Sequence, residues 1–523
     1  MAVTEPLLPS SPEELAETPG ARPSLRRRLA AGLPTDRVSS WVWTGLVALL
    51  ALVLRLVGLA KPGDKIFDEV YYAKEAYDLL QFGVERDKEG NGPGYVVHPP
   101  LGKWLIAAGE QVFGYEAVGW RISAAIVGAL SVLLLARIAR RLFGSTLLGC
   151  VAGLLLALDG LHFVMSRVAL LDIYLMFFLL LAFGCALLDR DSTRTWLLRR
   201  AEAGEDLTAG TGFRVPWWRL ATAVSAGCAL GVKWSAGWYI IALAALAFWW
   251  AVQARRSAGV RHPIWDALTW ETGWLVLSGV VILAVYLSTW TGWFLSDDGW
   301  NRNGNPWPGP SWLPSSIGNL WEYHVHAYDF HTGLAAKHDY QSTPWSWLIL
   351  GRPVAYYYSS DPGCGTDNCS AEVLALGTPL LWWSFIPALL MITWRWLAGR
   401  DWRAGTILLM SLGAGILPWT LYPSRTMFYF YTLPALPFLV LAVTLAIGMV
   451  LGPGLGRKVD PADVPIGTVP DPTDRDRRLV GAVAVASYLV VIAATFAYFY
   501  PIYTGEQLTY DSWHTRMWFD SWI

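Results

Sequence analysis

The sequence predicts an all-α polytopic membrane protein, and three observations carry that prediction. Only 15% of its 523 residues are charged and the mean hydropathy is +0.36, where a soluble domain carries about 25% charged residues. A bilayer centre penalises charge by several kcal/mol, so lipid solvation selects for this deficit. Apolar runs long enough to cross about 30 Å of hydrocarbon recur along the chain. Finally, 31 tryptophans supply the amphipathic rings that favour membrane interfaces. The alternating pattern of a membrane barrel is absent, and no strands are needed. With a net charge of −1 and no basic patch interleaved with aromatics, nucleic acid is not an expected partner.

Residues 1–40 are rich in Pro, Glu and Arg and lack the apolar core of a cleavable signal. A disordered cytoplasmic tail is expected there, held on its side by Arg26-Arg27-Arg28. About eleven candidate spans follow, near 41–60, 119–137, 144–160, 168–188, 217–232, 235–253, 271–294, 377–395, 404–421, 427–451 and 479–500; those near 144–160 and 217–232 are short. Clusters of Arg fall in alternate connections: Arg137, Arg140 and Arg141; Arg190 to Arg200; Arg255 to Arg261; Arg395 to Arg403; Arg457 to Arg478. They share one side only if eleven spans are counted, and the positive-inside rule makes that side cytoplasmic. The expectation is a plasma-membrane protein with a cytoplasmic N-terminus. Its transmembrane domain covers 41–500, and an external C-terminal tail covers 501–523.

Two long connections then face outward, 61–118 and 295–376. In the first, Val70, Ala73, Tyr77 and Leu80 recur at helical spacing, as do Leu101, Trp104, Leu105 and Ala108. Neither stretch can span, so both read as amphipathic helices on the membrane surface or over the bundle mouth. The second contains Cys364 and Cys369, five residues apart on the oxidising face, which reads as a small disulfide loop. Cys150, Cys185 and Cys228 lie in apolar runs and read as buried thiols.

Chemistry concentrates in Ile66 to Lys103, IFDEVYYAKEAYDLLQFGVERDKEGNGPGYVVHPPLGK. Asp68-Glu69 supports two readings. One is a helix N-cap followed by a first-turn acid; the other is a carboxylate at the interface that takes the proton of a substrate hydroxyl. Charges sit at or inside the apolar runs at Arg55, Arg121, Arg167, Asp172, Lys233 and Arg425. Each alone could snorkel to the headgroups. Five outward-side cations together suggest a basic pocket whose natural ligand is a phosphate. His98-Pro99-Pro100 is a stiff turn that could simply start the next helix. The histidines at 324, 326, 331 and 338 lack zinc-site spacing, so no metal or other cofactor is expected. Without a Walker loop or dinucleotide fingerprint, the activated donor of a transferase here would be lipid-linked.

These stretches resemble the protein O-mannosyltransferases, GT-C enzymes that use polyprenyl- or dolichyl-phosphate-mannose. RLVGLAKPGDKIFDEVYYAKEA and VHPPLGK carry the strongest likeness; RISAAIVGAL, HFVMSRVALLDIYL, GVKWSAG and SRTMFYFYTLPALPF extend it over most of the chain. The resemblance implies a GT-C bundle of eleven spans and mannose transfer to Ser/Thr hydroxyls of exported proteins. It makes Asp68 the catalytic acid–base group, with Glu69 supporting placement of acceptor or donor. Lys233, Arg55, Arg121, Arg167 and Arg425 become the donor and phosphate side, and His98 and Tyr71 support the acceptor or the loop. The 295–376 connection is too short for the trefoil domain inserted there in fungal and animal members, which points to an actinobacterial form. A polyprenyl donor and the Sec translocon are the partners such a form implies. Two rival readings remain: a GT-C transferase serving a cell-wall glycan or lipid acceptor, and, more remotely, a secondary transporter.

Overall fold

The computed structural model describes residues 25–26, 28–30, 34–87, 89–90, 92–304, 310–312, 314–399, 401–452 and 472–523. Every one of the eleven apolar runs carries a helix. Eight of these helices are long and apolar enough to cross a membrane: α1 (Arg37–Leu56), α4 (Ala117–Phe143), α7 (Asp172–Glu202), α9 (Ala236–Ala258), α10 (Pro263–Ser288), α14 (Pro379–Gly399), the stretch Trp402–Leu421 and α17 (Pro472–Thr504). The other three, α5 (Thr146–Ala157), α8 (Trp217–Leu230) and α16 (Leu436–Leu451), are shorter. At 1.5 Å per residue none of them reaches across about 30 Å alone. Local features set the lengths of these shorter helices. Asp159 stops the run after α5 by capping a new short helix, α6 (Gly160–Met165), accepting from the His162 N–H at 2.8 Å. Pro434 and Pro437 keep 427–435 out of the helix that follows, because proline lacks the amide a helix interior needs. Trp402–Leu421 begins as α15 (Trp402–Leu408), widens into a π-helix over Leu409–Ile416, and ends as a 3₁₀ turn.

The Arg-rich connections converge on one end of the bundle. Arg140 pairs with Asp36, Arg141 and Arg190 with Asp191, Arg214 and Arg219 with Asp189, and Arg255 with Asp266 and Glu271. Arg190 also stacks on Trp402, 3.5 Å from its ring. Of the expected tail, residues 1–24, 27 and 31–33 lie outside the described residues; Arg37–Ser40 open α1, and Leu29 packs with Leu197, Leu207 and Ala254.

The opposite end holds the 61–118 and 295–376 connections. The first contains α2 (Glu69–Phe82) and α3 (Leu101–Phe113); α11 (Thr291–Leu295) leads into the second, which contains α12 (Ser315–Gly333) and α13 (Pro344–Trp347). The expected apolar stripes divide between core and exterior: Ala73 is buried, and Leu80, Leu101 and Leu105 are half-buried against the core. Val70 and Tyr77 are exposed, while α2 buries Glu69, Tyr72, Ala73 and Ala76; α3 buries Gly102, Lys103, Ile106 and Ala107 and leaves Ala108 exposed. In lipid the solvent is itself apolar, so apolar side chains gain nothing by turning inward and polar ones must.

One further correction concerns strands. A three-stranded antiparallel sheet, β1 (Val354–Ser359), β2 (Cys369–Ala375) and β3 (Leu508–Thr509), occupies this end. VAYYYS is rich in the residues that suit a pleated surface, but it is too short to register in a search for spans. A disulfide joins Cys364 and Cys369 near the tip of the β1–β2 hairpin. Residues 501–523 pack onto the sheet rather than trailing from it. Trp513 Nε1 donates to Glu372 at 2.6 Å, and Arg352 donates to the carbonyls of Ser521 and Ile523.

Close approach of α3 and α4 depends on two glycines. A Cβ on Gly109 would overlap the Gly119 carbonyl, and one on Gly119 would overlap the Gly114 carbonyl. Backbone cannot move aside as a flexible side chain can. Gly109→Ala and Gly119→Ala should each cost about 1–3 kcal/mol, read as a lower unfolding temperature in detergent. Gly45→Ala, with no atom within 4 Å of the new methyl, should not lower it.

Candidate active site

Two adjacent carboxylates are put to different uses by the fold. Phe67 holds a left-handed backbone, φ 48°, a state that costs a bulky residue of order 1–3 kcal/mol. Its ring is locked by aromatic packing: stacked on Tyr356 with centroids 4.6 Å apart, and edge-on to Phe428 and Phe430 at 6.3 and 5.8 Å. Asp68 follows at the N-cap of α2, where its side chain makes no cap hydrogen bond. The position is that of a cap; the interaction is not.

Glu69 instead is wholly consumed by the structure. Arg121 donates to it twice, from Nε at 2.8 Å and Nη2 at 2.7 Å, and the Ile66 and Ala169 amides donate at 3.0 and 2.9 Å. The remaining Arg121 hydrogens go to the carbonyls of Leu59, Pro62 and Asp64. Neither side chain of the pair has any exposed surface. The arrangement leaves Glu69 no face toward a substrate and Arg121 no hydrogen for a phosphate.

Next to α2 lies a cavity of about 380 Å³ whose lining includes His98, Asp172, Lys233, His331, Arg425 and Tyr431 on a polar side and Leu175, Trp238, Ile241, Ala414 and Pro434 on an apolar one. Asp172 opens α7 and Lys233 precedes α9; Lys233 Nζ donates to Asp172 Oδ2 at 2.7 Å. The His98-Pro99-Pro100 turn starts α3, and the Leu101 amide donates to the Gly231 carbonyl at 3.1 Å, which fixes the turn against the GVKW segment. His331 Nε2 donates to the Val97 carbonyl at 2.9 Å, and its ring lies 5.1 Å from that of His98. Burial, with the charges of Arg425 and Lys233, pushes His331 down to about 4 against the opposing Val97 bond, so it is neutral at ordinary pH. Among the described residues His98 Nδ1 is buried with no hydrogen-bond partner. Arg425 donates to the His331 carbonyl at 2.9 Å, and its guanidinium lies 5.8 and 5.9 Å from the rings of Trp419 and Tyr431. Asp68 is within electrostatic reach of this group. Burial raises its pKa to about 6, Lys233 pulling it down and Asp172 opposing.

The fold uses the other expected cations elsewhere. Arg55 is fully buried, donating to the Ala51 carbonyl at 3.0 Å with Nη2 2.7 Å from His162 Nδ1. Arg167 donates to the carbonyls of Arg55, Val57 and Gly58 at 2.8, 2.6 and 2.8 Å, closing the C-terminus of α1. Tyr71 is 53% exposed and absent from the cavity lining; its neighbour Tyr72 is the buried ring, 6.2 Å from His98. The cavity also holds residues not expected from the sequence in this role: Asp172, Trp234, His331 and Tyr431. Trp234 is the best anchored. Its Nε1 donates to the Tyr286 hydroxyl at 3.0 Å, that hydroxyl donates to His324 Nε2 at 2.6 Å, and His324 Nδ1 donates to the Leu320 carbonyl at 2.6 Å.

Residues 45–294 match the family described as dolichyl-phosphate-mannose-protein mannosyltransferase, and residues 316–522 match the C-terminal four TMM region of protein-O-mannosyltransferase. The polyprenol-phosphate-mannose–protein mannosyltransferase of Mycobacterium tuberculosis is 36% identical over 94% of this chain and 93% of its own length. Its counterpart in Mycolicibacterium smegmatis is 37% identical, covering 94% of each. A shorter match, 36% identical over 174 residues and 33% of the chain, is to the undecaprenyl phosphate-alpha-4-amino-4-deoxy-L-arabinose arabinosyl transferase of Pseudomonas paraeruginosa, 31% of which it covers. Among solved structures, the Saccharomyces cerevisiae protein O-mannosyltransferase Pmt1-Pmt2 complex bound to the sugar donor superposes with a TM-score of 0.70 at 16% identity, over 95% of this chain and 94% of that one. ArnT from Cupriavidus metallidurans bound to undecaprenyl phosphate follows at 0.51 and 17%, over 88% and 70%. These structural likenesses are likenesses of fold.

The division of labour between the two carboxylates is testable. Glu69→Gln leaves Arg121 buried without its counter-charge, a loss of about 3–5 kcal/mol, and should sharply lower the unfolding temperature in detergent. Asp68→Asn should leave it unchanged. Equal effects, or none from Glu69→Gln, would contradict the assignment.

Proposed function

The chain belongs to the dolichyl-phosphate-mannose-protein mannosyltransferase family, and from that premise we propose that it transfers mannose from polyprenyl-phosphate-mannose to Ser/Thr hydroxyls of exported proteins. Its relatives are named for this activity, and its fold is that of the GT-C membrane glycosyltransferases. The observation that carries the reading is a single juxtaposition. An uncapped carboxylate, Asp68, lies within electrostatic reach of the Lys233–Asp172 pair at a cavity with one charged side and one apolar side. That cavity suits an amphiphile with an anionic head. By the positive-inside rule, the Arg-rich end is cytoplasmic and the cavity end external, at the plasma membrane. Acceptors would arrive there as extended chains from the Sec translocon.

In this mechanism the Ser or Thr oxygen attacks the anomeric carbon while its proton passes to Asp68. The bond from that carbon to the phosphate oxygen breaks, and the lipid phosphate departs with the electron pair. Configuration inverts in this single displacement. Lys233 and Arg425 meet the charge that develops on the leaving oxygen. A phosphate is a good enough leaving group that one carboxylate suffices, so Glu69 is free to serve the scaffold. His98 contributes as a neutral acceptor or donor on the cavity wall.

A second reading keeps the donor chemistry and changes the acceptor to a glycan or a lipid; the match to the arabinosyl transferase over a third of the chain favours it. Purified protein incubated with polyprenyl-phosphate-mannose and a Ser/Thr/Pro-rich peptide separates the two, since only the first yields mannosylated peptide.

Asp68→Asn should lower turnover by about 10²–10⁴-fold with donor binding retained. More than about a third of wild-type turnover would refute the base. Because a protonated carboxylate cannot accept a proton, wild-type kcat/KM, which reports the free enzyme, should fall as pH drops through about 6, with the limb absent in the residual activity of the variant. Lys233→Met and Arg425→Met should raise donor KM, lower kcat, or both, with acceptor KM little changed. Unaltered donor kinetics in both variants would place the phosphate elsewhere.

A further inference from the structure

Helix α12 presents three faces. On the first, Leu320, Tyr323 and Ala327 are buried, with the Tyr323 hydroxyl donating to the Val96 carbonyl at 2.8 Å. Ile317, Trp321, Val325 and Tyr328, spaced four, four and three residues apart, form a second face that is 44, 67, 42 and 59% exposed. The third carries the exposed polar residues Glu322, His326 and Asp329, with Phe330, 44% exposed, at its edge. A helix that meets only protein and water has an apolar face and a polar remainder. An additional exposed apolar stripe carrying a tryptophan calls for a third environment.

Its surroundings identify that environment. Tyr286, in the last turn of α10, donates to His324, and Trp290 just beyond packs on Tyr323 with centroids 5.1 Å apart, so α12 crosses the outer end of that span. Val276, Val280, Leu283 and Leu287 form an exposed apolar flank on α10 itself. This flank belongs to a span, so its solvent is lipid. Tyr328 and Thr332, the next position along the stripe, also line the cavity with Lys233 and Arg425. No Lys or Arg occurs in 315–333, so nothing in this helix recognises an anionic headgroup.

We propose that α12 lies in the interface of the outer leaflet with Ile317, Trp321, Val325 and Tyr328 immersed in lipid, and forms the sill over which a membrane-resident donor enters the cavity. The immersion stands on the fold alone, whereas the sill rests on the donor being lipid-linked. Because the contact is apolar, it should be indifferent to anionic lipid and to salt.

The test uses the full chain in nanodiscs, with Cys150, Cys185 and Cys228 replaced and a nitroxide attached at Ile317→Cys, Val325→Cys, Glu322→Cys or His326→Cys. Immersion predicts that oxygen out-competes a water-soluble nickel chelate at 317 and 325 and that the order reverses at 322 and 326, equally in neutral and anionic lipid. Water accessibility at all four positions would overturn it. So would shielding of 317 and 325 from both reagents, which would mean that another protein covers the stripe. For the sill, Trp321→Ser should raise KM for a long-chain donor by about three- to tenfold, leaving kcat and the KM of a short-chain, water-soluble donor unchanged. An equal rise for both donors, or none for the long-chain donor, would reject the sill. If wild-type protein transfers no mannose, the proposed reaction fails while the collision data still decide the immersion.

Discussion

Everything at the active end hangs on the buried pair of Glu69 and Arg121. Two hydrogen bonds join these side chains and five more leave them, gathering the chain after α1, the start of α2, the start of α4 and the backbone before α7. A pair with no exposed surface in a lipid-surrounded bundle has no water to fall back on. Its geometry is therefore all-or-none. It also explains how two neighbouring acids acquire opposite fates. Once Glu69 is drawn inward, Asp68 is turned a fraction of a helical turn away, and Phe67 beneath it is driven into a left-handed backbone that only its aromatic socket can hold. The cost of that strain is met by ring packing, and the result is a carboxylate denied the backbone amides it would ordinarily cap.

How much of this was legible beforehand follows from what each residue needs. Spans and ends show in the sequence because hydropathy and Arg bias are local properties of a segment. The chemical stretch from Ile66 to Lys103 was also visible, as was the pairing of unusual charges with apolar runs. What the sequence could not separate was a cation needed by a phosphate from a cation needed by backbone carbonyls. Arg55, Arg121 and Arg167 satisfy carbonyls at the end of α1 and in the connection after it. Water would do that work in a soluble protein, whereas here arginine must. Lys233 and Arg425 carry the same signature in sequence and reach the cavity instead. The choice between roles depends on partners 52 to 112 residues away, such as Asp172 for Lys233, beyond any local pattern.

The cavity combines two solvents in one wall. Its charged side is assembled from the ends of elements, at Asp172, Lys233 and Arg425, where helix termini free the chain to present polar groups. Its apolar side is assembled from helix interiors, at Trp238, Ile241 and Ala414. The Trp234–Tyr286–His324 chain joins these regimes by satisfying every polar atom it buries, which lets a large ring stand rigidly at the boundary.

The socket around Phe67 also sets a clock. Its walls, Tyr356, Phe428 and Phe430, are synthesised some 290 to 360 residues after the ring they hold. At about 5–20 residues per second, a ribosome takes roughly 20–70 s to supply the last of them. Throughout that interval nothing compels the backbone of the segment bearing Asp68 into the conformation that presents the carboxylate. The proposed base is thus latent in the nascent enzyme and becomes competent only when distant aromatic residues emerge to complete its seat.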